Sequence, residues 1–224
     1  MLTPQEWEVL GLSLRVALAC VLISLPAAVA VGWVLARRDF PGKFVLDGLC
    51  HLPLVLPPVV TGYLLLRLFG KRGLLGPLLD GIGLSLAFDW KGAALASAVV
   101  AFPLSLRAVR LAIEDVDPRL EGMARTLGAG RVRAFLTVTL PLAASGLWVG
   151  ALLAFARSLG EFGATITFVA NIPGETRTIP LAIYTSLNQP GGEAAALRLV
   201  WISVAVSLAA LLGSEWAARR RKRG

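Results

Sequence analysis

The feature that most constrains this sequence is a series of apolar stretches, each long enough to cross a lipid bilayer. A transmembrane helix needs about 20 mostly apolar residues. Five stretches reach that length, at residues 9–36, 44–69, 92–113, 142–169 and 193–217. The hydrophobic content of the whole chain is 56%, against roughly 45–50% in soluble domains. The sequence therefore predicts an all-α integral membrane protein with about five transmembrane helices, forming one domain over residues 1–224.

Basic residues cluster in short segments that border these stretches. They are Arg37, Arg38, Lys43, Arg107, Arg110 and the tail at 219–223. Lysine and arginine collect on the cytoplasmic side of membrane proteins. We therefore predict an N-terminus outside the cell and a cytoplasmic C-terminus. Because the net charge of +8 is explained by this pattern, we expect membrane lipid and no nucleic acid as a partner.

The composition also argues against several kinds of chemistry. Cys20 and Cys50 both lie in apolar stretches, and His51 is the only histidine. These residues form neither a disulfide framework nor a multi-histidine metal site. The phosphate-binding sequence GxxxxGK[ST] is absent, so we expect the chain not to hydrolyse ATP. We predict no catalytic residue, no metal site and no cofactor in this chain.

Prolines interrupt the second apolar stretch. The segment HLPLVLPPVVTGY at 51–63 contains three prolines and a glycine. Proline removes a backbone donor and breaks helices, and the freed carbonyls must be satisfied by neighbouring helices or a water-lined cavity. A simple kink and a helix that lines a pathway both fit this pattern. The candidate pathway residues here are Pro57, Pro58 and Thr61.

The fourth stretch carries two opposite charges inside the apolar run FARSLGEFGATITF at 155–168. Arg157 and Glu161 are four residues apart and are predicted to share one helix face. A charge at the membrane centre costs about 2.5–3.5 kcal/mol, so each needs a partner. Either the pair fixes helix packing, or Arg157 meets an anion in transit. Gly160 and Gly163 favour close backbone approach, and Gly163 joins the candidate pathway residues.

Two further segments are predicted to lie at the outer face. Residues 71–91 are glycine-rich and too interrupted to span, but they can form a short interfacial helix with Phe88 and Trp90 at headgroup level. Residues 170–189 contain a Pro173-Gly174 turn and polar residues at 176–179. We predict an outer loop here, or one that dips partway into the membrane.

A polar segment at about 115–141 separates the third and fourth stretches. Asp117 can cap a helix whose first residue is Pro118. Gly128 ends that helix, and a second short helix begins at Arg131 and ends near Pro141. The predicted topology places this segment in the cytoplasm. Since the chain lacks an ATP-binding sequence, we interpret the segment as a docking element for a partner that supplies energy.

This polar segment resembles the EAA loop of ABC importer permeases, whose pattern is roughly E-A-A-x-x-x-G, nine residues, then I-x-L-P. Here Gly122-Met123-Ala124 is followed after three residues by Gly128, and after nine more by Val138-Thr139-Leu140-Pro141. Glu121 stands one place early. The resemblance implies a coupling helix that sits in a cleft of an ATPase subunit. Its predicted coupling residues are Glu121, Ala124, Arg125, Thr126, Leu127, Gly128, Ala129 and Gly130.

Four sequence blocks make the chain similar, more specifically, to the permeases of the molybdate, sulfate and tungstate subgroup, and to the molybdate permeases among them. They are HLPLVLPPVV at 51–60, ARTLGAG at 124–130, FARSLGEFGATITF at 155–168 and NIPGETRTIP at 171–180. The resemblance covers nearly the whole chain. It implies the type I ABC importer permease fold in a bacterial cytoplasmic membrane and a path for an oxyanion.

The resemblance also implies partners. These are a second copy of the chain, two cytoplasmic ATPase subunits that bind ATP and Mg, and a periplasmic or lipoprotein oxyanion-binding protein. A path between few helices independently favours a twofold dimer. The alternatives are a sulfate or tungstate permease, a proton-coupled carrier that uses Glu161, and an intramembrane hydrolase that uses Glu161 and His51.

Overall fold

The computed structural model describes residues 3–221, with side chains described up to residue 213, and every regular element within this range is helical. In chain order the helices are α1 (Pro4–Arg37), α2 (Lys43–Val55), α3 (Pro58–Phe69), α4 (Gly76–Asp80), α5 (Trp90–Glu114), α6 (Pro118–Thr126), α7 (Arg131–Ala134), a π-helix (Phe135–Thr139), α8 (Leu140–Leu142), α9 (Ala144–Leu159), α10 (Gly163–Val169), α11 (Ile179–Leu187) and α12 (Glu193–Arg221). The predicted all-α class is confirmed.

Three of these helices are long and apolar enough to cross a bilayer unaided. They are α1, α5 and the part of α12 at Glu193–Gly213, with mean hydropathies of 2.4, 1.6 and 2.1. A capping box between Thr3 and Glu6 begins α1. Helix α5 lies at the centre of the bundle, packed along both α1 and α9. Alanines on its buried face, among them Ala94 and Ala98, allow these close approaches.

Two bent helix pairs supply the remaining candidate spans. Helices α2 and α3 meet at 112°, and the segment at 131–142 meets α9 at 74°. Counting each pair once gives up to five spans, in agreement with the predicted number. The second stretch is therefore broken rather than straight. The break falls at Leu56 and Pro57, while Pro53 lies inside α2.

The fourth stretch does not form the continuous span predicted for 142–169. Helix α9 ends at Leu159, Gly160 turns the chain, and α10 begins only at Gly163. Glycine lacks a Cβ and has the largest conformational entropy to lose in a helix, which favours a break here. At seven residues, α10 is much too short to cross a bilayer alone.

The two segments assigned to the outer face are more ordered than loops. Residues 71–91 include α4, the predicted short helix, but Trp90 begins α5 instead of belonging to this segment. The assignment of 170–189 as a loop is wrong in its second half, because α11 occupies Ile179–Leu187. Ile179 and Ala182 are buried against α1 and α12. The helix was not predicted because the polar residues at 176–179 indicated a loop.

The polar segment at 115–141 packs against the bundle through one side only. A cluster of buried apolar residues joins Leu35 of α1 and Leu106 and Ile113 of α5 to Phe135 of the π-helix. The loop is therefore anchored to the same helices that form the centre of the bundle.

Helices α5 and α9 approach each other very closely at Gly146 of α9, where a Cβ would lie 2.1 Å from the Cβ of Ala112.

Candidate functional site

The first candidate site is the loop formed by α6, α7 and the π-helix, which we call the coupling loop. The Asp117 side chain accepts a hydrogen bond from the backbone N–H of Arg119 at 2.9 Å, and Pro118 is the first residue of α6. Both features match the predicted start. Gly128 adopts φ +91°, and the N–H groups of Gly128 and Ala129 donate to the carbonyls of Arg125 and Ala124. These paired bonds form a Schellman motif, which ends the helix.

The tip of the coupling loop presents apolar side chains to the outside. Leu127 is 88% exposed, and Met123 and Val132 are each 62% exposed. Four exposed guanidinium groups lie in the same loop; they belong to Arg119, Arg125, Arg131 and Arg133. An apolar centre with a charged rim is the arrangement found in protein interfaces. The loop thus exposes both kinds of group, apolar and positively charged.

Glu121 points in the opposite direction from these exposed residues. Its Oε1 lies 3.4 Å from Nε of Arg37, at the end of α1. It also accepts a hydrogen bond from the hydroxyl of Thr139 in the π-helix. The two charged side chains are only 12% and 17% exposed. Sequence reasoning assigned Arg37 to topology alone and gave no role to Thr139 beyond the motif.

The second candidate site lies where α3 crosses α10. A Cβ on Gly62 would come within 2.5 Å of the carbonyl oxygen of Ala164, and a Cβ on Gly163 would lie 2.9 Å from Pro58. The absence of side chains at both glycines therefore permits backbone contact. Thr61 is buried beside this crossing. The structure thus brings Pro58 and Gly163 together; Thr61 lies in the same helix α3, and Pro57 immediately precedes it.

Arg157 and Glu161 form the predicted ion pair, with 2.7 Å between Nη1 and Oε2. Their placement differs from the prediction, because Glu161 follows the end of α9 instead of continuing its face. The other oxygen, Oε1, accepts the backbone N–H of Ala164 at 2.8 Å. The Glu161 side chain is 1% exposed and that of Arg157 is 29% exposed. The carboxylate therefore fixes the break between α9 and α10 from both sides.

A polar tie that sequence reasoning missed joins α1 to α11. Ser13 donates its hydroxyl to the carbonyl of Val9 and accepts the backbone N–H of Ile179 at 2.8 Å. Near the start of the same helix, Glu6 pairs with Arg198 of α12 at 2.8 Å. Neither partner could be assigned from sequence, since the contacts are separated by 166 and 192 residues.

His51 and Glu161, the two residues of the intramembrane-hydrolase alternative, have different partners. Nδ1 of His51 lies 2.9 Å from the carbonyl oxygen of Asp47, on its own helix α2. Glu161 is occupied by Arg157 and the backbone of α10. Each of the two side chains thus has its own partner, on different helices. The geometry does not support an acid–base pair between them.

Three long helices, two bent pairs and an anchored coupling loop define a type I ABC importer permease fold. The structure superposes on a solved bacterial ABC transporter involved in import of the acidic polysaccharide alginate, with a TM-score of 0.77 and 18% identity over 98% of this chain and 80% of that chain. At this identity the likeness concerns the fold alone.

Sequence comparison places the chain more narrowly. The model of the binding-protein-dependent transport system inner membrane component family matches residues 28–223. The chain is 60% identical to the molybdenum transport system permease protein ModB of Escherichia coli strain K12, over 98% of this chain and 96% of that protein. It is 38% identical to a sulfate transport system permease protein of Salmonella typhimurium strain LT2, over 71% of this chain and 57% of that protein.

The chain therefore belongs to the binding-protein-dependent transport system inner membrane component family. It is a multi-pass protein of the inner membrane and a permease subunit, and as such it is not an enzyme. These findings confirm the predicted family, fold and location.

Proposed function

We propose that this chain is the membrane permease subunit of an ATP-driven importer that carries molybdate across the inner membrane. The observation that carries the choice of substrate is the 60% identity to a molybdenum permease over nearly the full length of both chains. The sulfate relative is 38% identical over a shorter part. Sulfate and tungstate are therefore the competitors against which the substrate is tested.

The proposed assembly contains two copies of this chain, two cytoplasmic ATPase subunits and an external oxyanion-binding protein. ATP and Mg bind to the ATPase subunits, and this chain holds no cofactor. Exposed Leu127 and Met123, in the same loop as four exposed arginines, support the coupling loop as the ATPase contact. A buried apolar anchor with a charged rim gives both affinity and orientation.

The proposed mechanism is a shift between two conformations of the permease. ATP binding closes the ATPase pair and moves the two coupling loops together, which favours the conformation open to the binding protein. Hydrolysis and release favour the conformation open to the cytoplasm. Nucleotide can drive this cycle because it binds the two states with different affinities.

The helix breaks supply the proposed path for the anion. Arg157 and Glu161 together are electrically neutral, so the pair offers little net attraction to a dianion. A transport path must let its substrate leave as well as enter. We infer that the permease conducts the oxyanion without retaining it, and that the binding protein sets selectivity.

ATP-dependent uptake of radiolabelled molybdate tests the substrate. The complete complex is placed in vesicles, with sulfate or tungstate added as competitor. We expect uptake that needs both ATP and the binding protein, and that excess sulfate does not reduce. Sulfate uptake at the rate of molybdate uptake would contradict the proposal.

A substitution at the loop tip tests the ATPase contact. Leu127→Asp places a carboxylate at the apolar centre of the coupling loop and should abolish ATPase association or substrate-stimulated hydrolysis. Leu74→Asp is the matched control, because Leu74 is 78% exposed but lies in the segment between α3 and α4. Full stimulated hydrolysis by Leu127→Asp would refute the assigned contact.

A further inference from the structure

The end of α1 contacts both the coupling loop and the linker that precedes it. Nη2 of Arg37 donates to the carbonyl oxygen of Val116, in the linker before α6, at 2.7 Å. Nε of the same guanidinium lies 3.4 Å from Glu121, inside α6. Arginine presents several donors in a fixed planar arrangement, so one side chain can join two groups with a defined orientation. Arg37 therefore connects α1 to both the linker and the helix that follows it.

The π-helix forms the other side of this connection. Its last residue, Thr139, donates its hydroxyl to Glu121, and its first, Phe135, packs on Trp33 of α1 with ring centroids 5.0 Å apart. A π-helix is a rare widening of the helical turn, and it is frequent at functional sites. Here the widened segment places Phe135 against α1 and Thr139 against α6.

Glu121 is thus separated from the exposed docking residues of the same loop. Glu121 is one place earlier than the glutamate of the EAA pattern. A shift of one residue rotates a side chain by about 100° around an α-helix. Leu127 and Met123 are exposed, whereas Glu121 is covered by the bundle. The carboxylate is positioned to act on α1 and not on an external partner.

We propose that the Arg37–Glu121 ion pair transmits displacement of the coupling loop to α1. This inference rests on the proposed ATP-driven import. Apolar contacts such as Trp33–Phe135 resist sliding only weakly, while separating a largely buried pair of opposite charges is costly. Because α1 packs along α5 over much of its length, movement passed to α1 reaches the centre of the bundle. Arg37 and Glu121 are positioning residues in this scheme and do not contact the transported anion.

The test uses the complete complex in vesicles and measures molybdate uptake and ATP hydrolysis together. Glu121→Gln should still bind the ATPase and hydrolyse ATP, but uptake per ATP should fall about tenfold, a change typical of lost coupling between two sites. Arg38→Gln and Asp115→Asn are matched controls, because both remove an exposed charge beside the pair. The controls should keep the wild-type ratio of uptake to hydrolysis.

A charge reversal separates transmission from a general loss of folding. Arg37→Glu and Glu121→Arg should each lower uptake per ATP, and the double reversal should recover part of the loss. An unchanged ratio for Glu121→Gln overturns the inference, as does loss of ATPase association by that variant. A double reversal no better than either single variant also overturns it. If the wild-type complex takes up no molybdate, the proposed substrate fails instead; the ratio is then measured with the anion that is transported.

Discussion

Removal of Arg157 is expected to leave a buried carboxylate without its counter-charge. The Glu161 side chain is 1% exposed and 2.7 Å from Arg157, and it also holds the first turn of α10 through Ala164. Breaking a buried pair by deleting one partner costs about 3–5 kcal/mol. Since whole domains are stable by about 5–15 kcal/mol, Arg157→Met should lower the midpoint of thermal unfolding and the yield of assembled complex.

The double variant Arg157→Met with Glu161→Gln should recover most of that stability. It buries no charge, and the amide oxygen of glutamine can still accept the N–H of Ala164. Size-exclusion chromatography and thermal unfolding in detergent measure both variants. Arg107→Met is the control, because it removes an exposed arginine from α5. Wild-type stability of Arg157→Met alone would refute the reasoning.

Uptake by the double variant then decides between the two interpretations of the pair. Wild-type transport would show that the ion pair has only a structural role, which is to hold the break between α9 and α10. Full assembly without transport would show that Arg157 or Glu161 takes part in anion passage.

Three further substitutions test individual contacts by thermal unfolding of the purified chain. Gly62→Ala forces a Cβ to within 2.5 Å of the α10 backbone and should cost about 1–3 kcal/mol, whereas the control Gly122→Ala meets nothing within 4 Å and should not destabilise. Gly128→Ala places a Cβ at φ +91° and should cost about 1–2 kcal/mol; no loss would contradict the left-handed turn. Ser13→Ala leaves the buried N–H of Ile179 unpaired and should cost about 1–3 kcal/mol, so an unchanged unfolding midpoint would argue against this tie.

The parts of the fold that sequence predicted are those determined by local chemistry. Long apolar runs gave α1 and α5 because length and hydropathy are properties of a single segment. The ends of α6 followed from the Asp117 side chain, which caps its first turn, and from the backbone of Gly128, which adopts a positive φ; both act within a few residues. The family motif then indicated the class of protein, which the comparisons confirmed.

The parts that sequence did not predict depend on contacts between distant residues. The break after Leu159 is held by Glu161, yet the spacing from Arg157 also fits one uninterrupted helix. Helix α11 was missed because its polar approach, with Thr176 and Thr178 buried, resembles a loop. The partnership of Glu121 with Arg37 spans 84 residues, and no local pattern encodes it. The predicted coupling and pathway roles stay predictions for the tests above.

The short helices that cross at Gly62 also constrain how the protein is made. Helix α3 has 12 residues and α10 has 7, or about 18 Å and 10 Å of length, against a hydrocarbon layer of about 30 Å. Neither is long enough to cross the bilayer alone, whereas α1 and α5 are. Because α3 packs mainly on α10, its packing is completed only after residue 169 has been synthesised. Biogenesis of this permease therefore includes a packing step between short helices, distinct from the insertion of its long helices.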